Sequence, residues 1–153
     1  MSQQTAEQSQ SVTPDLIVRG ASRALDFHAS AFGATELYRL TEPGGRIGHA
    51  QLRIGGSTLM LADEYPDFGS VSPVCLGGTP VKLHLRVDDV DEFMRRAVAA
   101  GAIELRPAKD QFHGERSGML ADPFGHHWFV SMHIEDVSPE EMQRRFTAAM
   151  SVG

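Results

Sequence analysis

The chain has 153 residues, of which 41% are hydrophobic and eight are Phe. That is enough for one domain, or two small halves sharing one core, to bury roughly 68–70% of the unfolded surface. Fourteen Lys and Arg against 20 Asp and Glu give a net charge of -6, which argues against nucleic acid or an anionic membrane as partner, since both need clustered positive charge. One Cys, Cys75, cannot form an internal disulfide, no stretch approaches ~18 consecutive apolar residues, and Met1 to Ser11 are polar with no signal-peptide core. The expectation is a cytoplasmic protein with a disordered tail over residues 1–11.

The first module is expected over residues 12–64. Leu16 and Val18 alternate with Asp15, Ile17 and Arg19, which reads as a strand over 13–19. A helix follows from Ser22 as N-cap through Ala24, Phe27, Ala31 and Phe32 to Gly33, a residue suited to a left-handed stop. Strands at 49–54 and 57–62 flank Gly55-Gly56, a two-residue hairpin turn in which both positions can take positive φ. From Tyr65 to Pro80 the chain is rich in Pro and Gly and reads as an irregular linker.

The second module, residues 81–134, repeats the pattern. Val81, Leu83, Leu85 and Val87 alternate with Lys82, His84 and Arg86. Asp89 with Glu92 starts a helix like a capping box, and Phe93, Ala97 and Ala100 line one face before Gly101. Gly101-Ala102-Ile103-Glu104-Leu105 echoes Gly33-Ala34-Thr35-Glu36-Leu37 at an offset of 68 residues, an internal repeat. A strand over 119–121, a type I turn at Asp122-Pro123-Phe124-Gly125 and a strand over 126–133 close the module, with Trp128 on the core parity. A helix over 138–150 carries Met142, Phe146 and Met150 on one stripe, to be covered by its own chain or by a partner subunit.

The sheet faces opposite the helices carry Asp15, Ile17, Gln51, Arg53, Lys82, His84, Arg86, His127, Phe129 and Ser131. Buried unpaired charge costs several kcal/mol, so such a mixture suits a wet cup rather than a dry core. Cups with a few convergent polar groups are where small ligands bind.

Arg23-Ala24-Leu25-Asp26-Phe27-His28 ahead of Phe32-Gly33-Ala34, Leu76-Gly77-Gly78-Thr79-Pro80, Val87-Asp88-Asp89-Val90 and Asp122-Pro123-Phe124-Gly125-His126 resemble the vicinal oxygen chelate superfamily of glyoxalase I, bleomycin-resistance proteins and extradiol dioxygenases. The nearest resemblance is to its PhnB-like branch. The resemblance implies an α+β fold of paired βαβββ modules forming a cup-shaped mixed sheet, completed in a homodimer. In its metal-dependent members the opening strand and a later strand of each module each supply a ligand. Those places fall here on Thr13, Gln51, Lys82 and Phe129. An ammonium and a phenyl ring cannot ligate a divalent ion, so no metal cofactor is expected.

An offset cluster of Gln51 or His49 with His84 and His127 is the alternative metal site, because these residues keep the cup-facing parity. His84 is read either as a ligand-contacting group or as a solvated pocket histidine. The segment Asp110 to Gly118 resembles the PhnB-like loop ahead of the last hairpin: Phe112 would stack on a planar substrate while Arg116 pairs with an anion, unless Asp122 or Glu115 claims the guanidinium. The expected function is binding of a small organic molecule by Gln51, Lys82, His84, Phe112, Arg116, His127 and Phe129 without the usual catalytic metal. The alternatives are a metal-dependent lyase or dioxygenase using the offset site, and a dimeric scaffold with no ligand.

Overall fold

The computed structural model describes residues 10–151, so most of the expected tail lies outside the described residues. Two four-stranded mixed sheets carry the modules, ordered β1-β4-β3-β2 and β5-β8-β7-β6. The first contains β1 (Asp15–Val18), β2 (Thr35–Thr41), β3 (Ile47–Ile54) and β4 (Ser57–Asp63), with α1 (Ala21–Phe32) crossing after β1. The second contains β5 (Lys82–Arg86), β6 (Ile103–Asp110), β7 (Glu115–Ala121) and β8 (His127–His133), with α3 (Val90–Ala99) in the same place. In each module the opening strand runs parallel to the last, and the other pairs are antiparallel. No helix among the described residues is long and apolar enough to cross a membrane.

The helix-facing sides of the two sheets share one core. Leu16, Val18, Leu52 and Leu61 of the first sheet join Leu120, Trp128 and Val130 of the second. The helices lie against each other, with Phe32 and Phe93 stacked at 5.4 Å between centroids and the Arg96 guanidinium donating to the Ser30 carbonyl. The Trp128 ring lies 4.8 Å from Phe32, and its indole N–H donates to Asp122. Trp128 therefore faces the core, as its parity requires.

Several local expectations are corrected. Helix α1 starts at Ala21 with Gly20, not Ser22, as its N-cap. The cause is nonlocal: the Asp63 carboxylate accepts the N–H groups of Gly20 at 3.1 Å and Ala21 at 2.7 Å, supplying from β4 what a cap side chain supplies locally. Gly20 has φ 97, a left-handed conformation that L side chains rarely adopt, so the position favours glycine. At the β3–β4 turn only Gly55 uses positive φ.

The linker is partly ordered into a 3₁₀ turn, Pro66–Phe68, and a one-turn helix α2, Pro73–Leu76, capped by Ser72. The strands β2 and β6 follow the helices where simple alternation gave no signal, because bulges interrupt both.

Candidate functional site

The outer face of the second sheet gathers most of the candidate residues. In the β5–β8 ladder Lys82 stands opposite His127, and His84 opposite Phe129. On the other side of β8, Phe129 stands opposite Met119 of β7, which in turn faces Arg106 of β6. The Phe129 ring is the centre of this face. The Lys82 ammonium lies 5.5 Å and the Arg106 guanidinium 6.0 Å from its centroid, within the range where a cation is drawn to the ring. The His84 ring lies 4.8 Å away, tilted by 33°. Beside them opens a hollow of about 550 Å³ lined by Arg106, Lys109, Gln111, His113, Ser117 and Phe129.

Arg106 and Lys109 were missed in the sequence because Pro107 and the bulges of β6 hide the period of two. The internal repeat carried the signal: the offset of 68 residues takes Tyr38 of β2 to Arg106 and Gln51 of β3 to Met119, and both pairs face each other in their sheets.

That equivalence also corrects the reading of Gln51. Strand β1 pairs with β4, not β3, and places Asp15 opposite Met60, as β5 places His84 opposite Phe129. The counterpart of Phe129 in the first module is therefore Met60, and Gln51 lies one strand further from β1. The four positions become Thr13, Met60, Lys82 and Phe129. A hydroxyl, a thioether, an ammonium and a phenyl ring do not fit a hard or borderline divalent ion.

His49, His84 and His127 are not gathered as one three-ligand set. His127 stands opposite Lys82, His84 leans on Phe129, and His49 lies 3.1 Å from the Tyr38 hydroxyl. Among the described residues no three His, Cys, Asp or Glu side chains are placed to hold one ion.

Phe112 and Arg116 are not part of this face. The expected loop over 110–118 is mostly strand: Gln111 to Gly114 alone form the turn, and the Gln111 N–H donates to the Glu115 carbonyl at 2.7 Å. Alternation was hidden because the inward positions of β7 begin with Arg116 and Gly118. A Cβ on Gly118 would lie 2.3 Å from Met94 Sδ, so the strand needs glycine there to sit against α3. Arg116 consequently turns to the helix side and donates twice to Asp91 and once to Asp110 at 2.9–3.0 Å, not to Asp122 or Glu115. Asp91 first, then Asp110, raises its pKa. Phe112 packs 5.7 Å from Phe146 of α4 (Pro139–Ser151), and its carbonyl accepts from Arg145.

Helix α4 has no fully buried residue, and the stripe is covered at one end only, leaving Phe146 47% and Met150 69% exposed. A further hollow of about 530 Å³ lies between the modules, walled by Pro14, Thr58, Leu83, His84, Leu85 and Trp128.

A family model described as the glyoxalase/bleomycin resistance protein/dioxygenase superfamily matches residues 10–130. The chain belongs to this superfamily. An uncharacterized protein of Mycobacterium bovis is 46% identical over 143 residues, covering 92% of this chain and 91% of its own. The crystal structure of TioX from Micromonospora sp. ML1 aligns with a TM-score of 0.64 at 33% identity, over 82% of this chain and 99% of that one. Protein PA1353 from Pseudomonas aeruginosa aligns at 0.67 and 25% identity, over 82% and 99%. The superfamily's paired-module fold is thus common to this protein and to these structures.

Proposed function

We propose that this superfamily member binds a small organic molecule on the outer face of its second module, without a divalent metal, as a homodimer of the PhnB-like type. One observation carries the reading: Lys82 and Arg106 both face Phe129, putting two cations and an aromatic ring where metal-dependent relatives need lone-pair donors. Such a surface repels a bare cation and offers an organic guest contact area and hydrogen-bond donors. The dimer is supported by the half-covered stripe of α4, since an exposed apolar strip of this kind is the usual mark of a contact surface.

Metal analysis of protein purified without chelators, run beside native mass spectrometry, tests the proposal. The expected result is a dimer with substoichiometric metal. Stoichiometric Zn, Ni, Mn or Fe that disappears in His84→Ala would overturn the metal-free reading in favour of the offset site.

A further inference from the structure

The protein is acidic, yet the outer face of the second module is not. Several other arginines are matched to carboxylates: Arg116 to Asp91 and Asp110, Arg145 to Glu135 and Glu141, and, on the same strand as Lys82, Arg86 to Glu115. The chain contains only two lysines, Lys82 and Lys109. Both stand on this face with Arg106, and among the described residues none of the three has a carboxylate partner within salt-bridge distance.

Lys82 and Arg106 converge on one ring, at 5.5 and 6.0 Å from its centroid, so the two like charges lie about a Debye length apart at most. An anion placed between them relieves their repulsion and accepts charge-assisted hydrogen bonds from both. The Phe129 ring, with the His84 ring leaning on it at 4.8 Å and 33°, gives the rest of the guest an aromatic surface to pack on. The adjoining hollow of about 550 Å³ has the size of a small-molecule site. The geometry points to a planar organic anion, of which a small aromatic carboxylate is the simplest member, as the guest of this face. The inference rests on the binding role proposed above and adds the guest's charge and shape.

Calorimetric titration of the full-length protein with benzoate, benzamide, benzylammonium and cyclohexanecarboxylate tests it. Benzoate is expected to bind about tenfold tighter than benzamide, and benzylammonium weakest, because only the first pairs with the cations. Lys82→Gln and Arg106→Gln, both surface changes, should each remove most of that preference while leaving the melting temperature unchanged. Reductive methylation with ¹³C-formaldehyde labels only two lysine side chains and the N-terminus, so movement of the Lys82 signal on adding benzoate places the guest.

Equal affinity for benzoate and benzamide, or a preference that survives the double variant, would overturn the charge assignment and leave the binding role standing. Equal affinity for cyclohexanecarboxylate would overturn planarity alone. If none of the four binds and no lysine signal moves, the binding role itself falls.

Discussion

The two modules are copies in topology and opposites in use. Helix α1 buries seven of its twelve residues, including Phe27, His28 and Phe32, because it lies against its own sheet, against α3 and against Trp128 of the other sheet. Helix α3 buries three of ten, Val90, Met94 and Ala97. The outer faces differ in the other direction. The first carries one acid, Asp15, one arginine, Arg53, and one histidine, His49, among Ile17, Gln51, Met60 and Tyr38. The second concentrates Lys82, Arg106, Lys109, His84 and His127 around Phe129. A duplicated sheet thus divides labour by face. Inner positions are constrained by close packing, whereas outer positions tolerate polar residues at little cost in stability and are free to specialise.

The largest effect expected from this contrast concerns the aspartate that fastens each module. Asp63 holds Gly20, Ala21 and Ile47 N–H groups from a half-buried position. Asp122, 3% exposed, holds the Phe124 and His126 N–H groups and the Trp128 indole at 2.9–3.0 Å. Asp122→Ala leaves three donors without partners, one of them in the shared core, and should cost about 3–4 kcal/mol, roughly a 10 °C fall in melting temperature for a chain of this size. Asp63→Ala should cost about 2 kcal/mol, less than Asp122→Ala, because the Asp63 carboxylate is itself only half-buried. Denaturant unfolding of both variants checks the order. Equal losses would break the picture of a shared core centred on Trp128.

His28 gives the next effect. It is fully buried, neither ring nitrogen has a hydrogen-bond partner, and Phe32 and Trp128 lie 5.3 and 5.7 Å away. Burial first, and the nearby His126 second, push its pKa down to about 4. The folded protein therefore holds His28 neutral, whereas the unfolded chain takes up the proton near pH 6.5. Its contribution is intact above that pH, declines as pH falls from 6.5 toward 4, and is reduced by about 3 kcal/mol below. His28→Leu should flatten this limb of the stability curve. A limb unchanged in that variant would show that the penalty lies elsewhere, with the first module's core no more acid-sensitive than the second's.

How much of this was legible in the sequence follows the same division of faces. Inner strand positions are apolar on a period of two, so β1, β3, β4, β5 and β8 could be placed from Leu, Val and Ile alone. Trp128 fell to the core for that reason. Two strands escape because their bulges and Pro107 break the period, and with β6 go Arg106 and Lys109, two of the three cations that lack a carboxylate partner. The cap of α1 escapes because its carboxylate comes from Asp63, 43 residues from Gly20 in the chain. Periodicity does not distinguish Gln51 from Met60, because strand pairing, which decides which residue stands beside β1, is nonlocal. What periodicity did convey about the site was parity: Lys82, His84, His127 and Phe129 do share one face.

The smallest effect separates Arg116 from that face. As a loop residue it was a candidate anion binder; as a β7 residue on the helix side, its guanidinium is engaged by Asp91 and Asp110, whose side chains are 59% and 69% exposed. Exposed pairs contribute little, so Arg116→Ala should lower stability only slightly even with its double contact to Asp91. Added salt should shrink that cost further, because the pairs face solvent. Benzoate affinity in the variant should equal that of the parent, since no part of Arg116 reaches the Phe129 surface when its strand is in register. A tenfold loss of affinity with stability unchanged would mean that β7 shifts by one residue when a guest binds, turning Arg116 outward and Ser117 in; hydrogen exchange at the Gly118 and Leu120 amides would then rise on binding, and the fixed contrast between an inner packing face and an outer binding face would no longer hold for the second module.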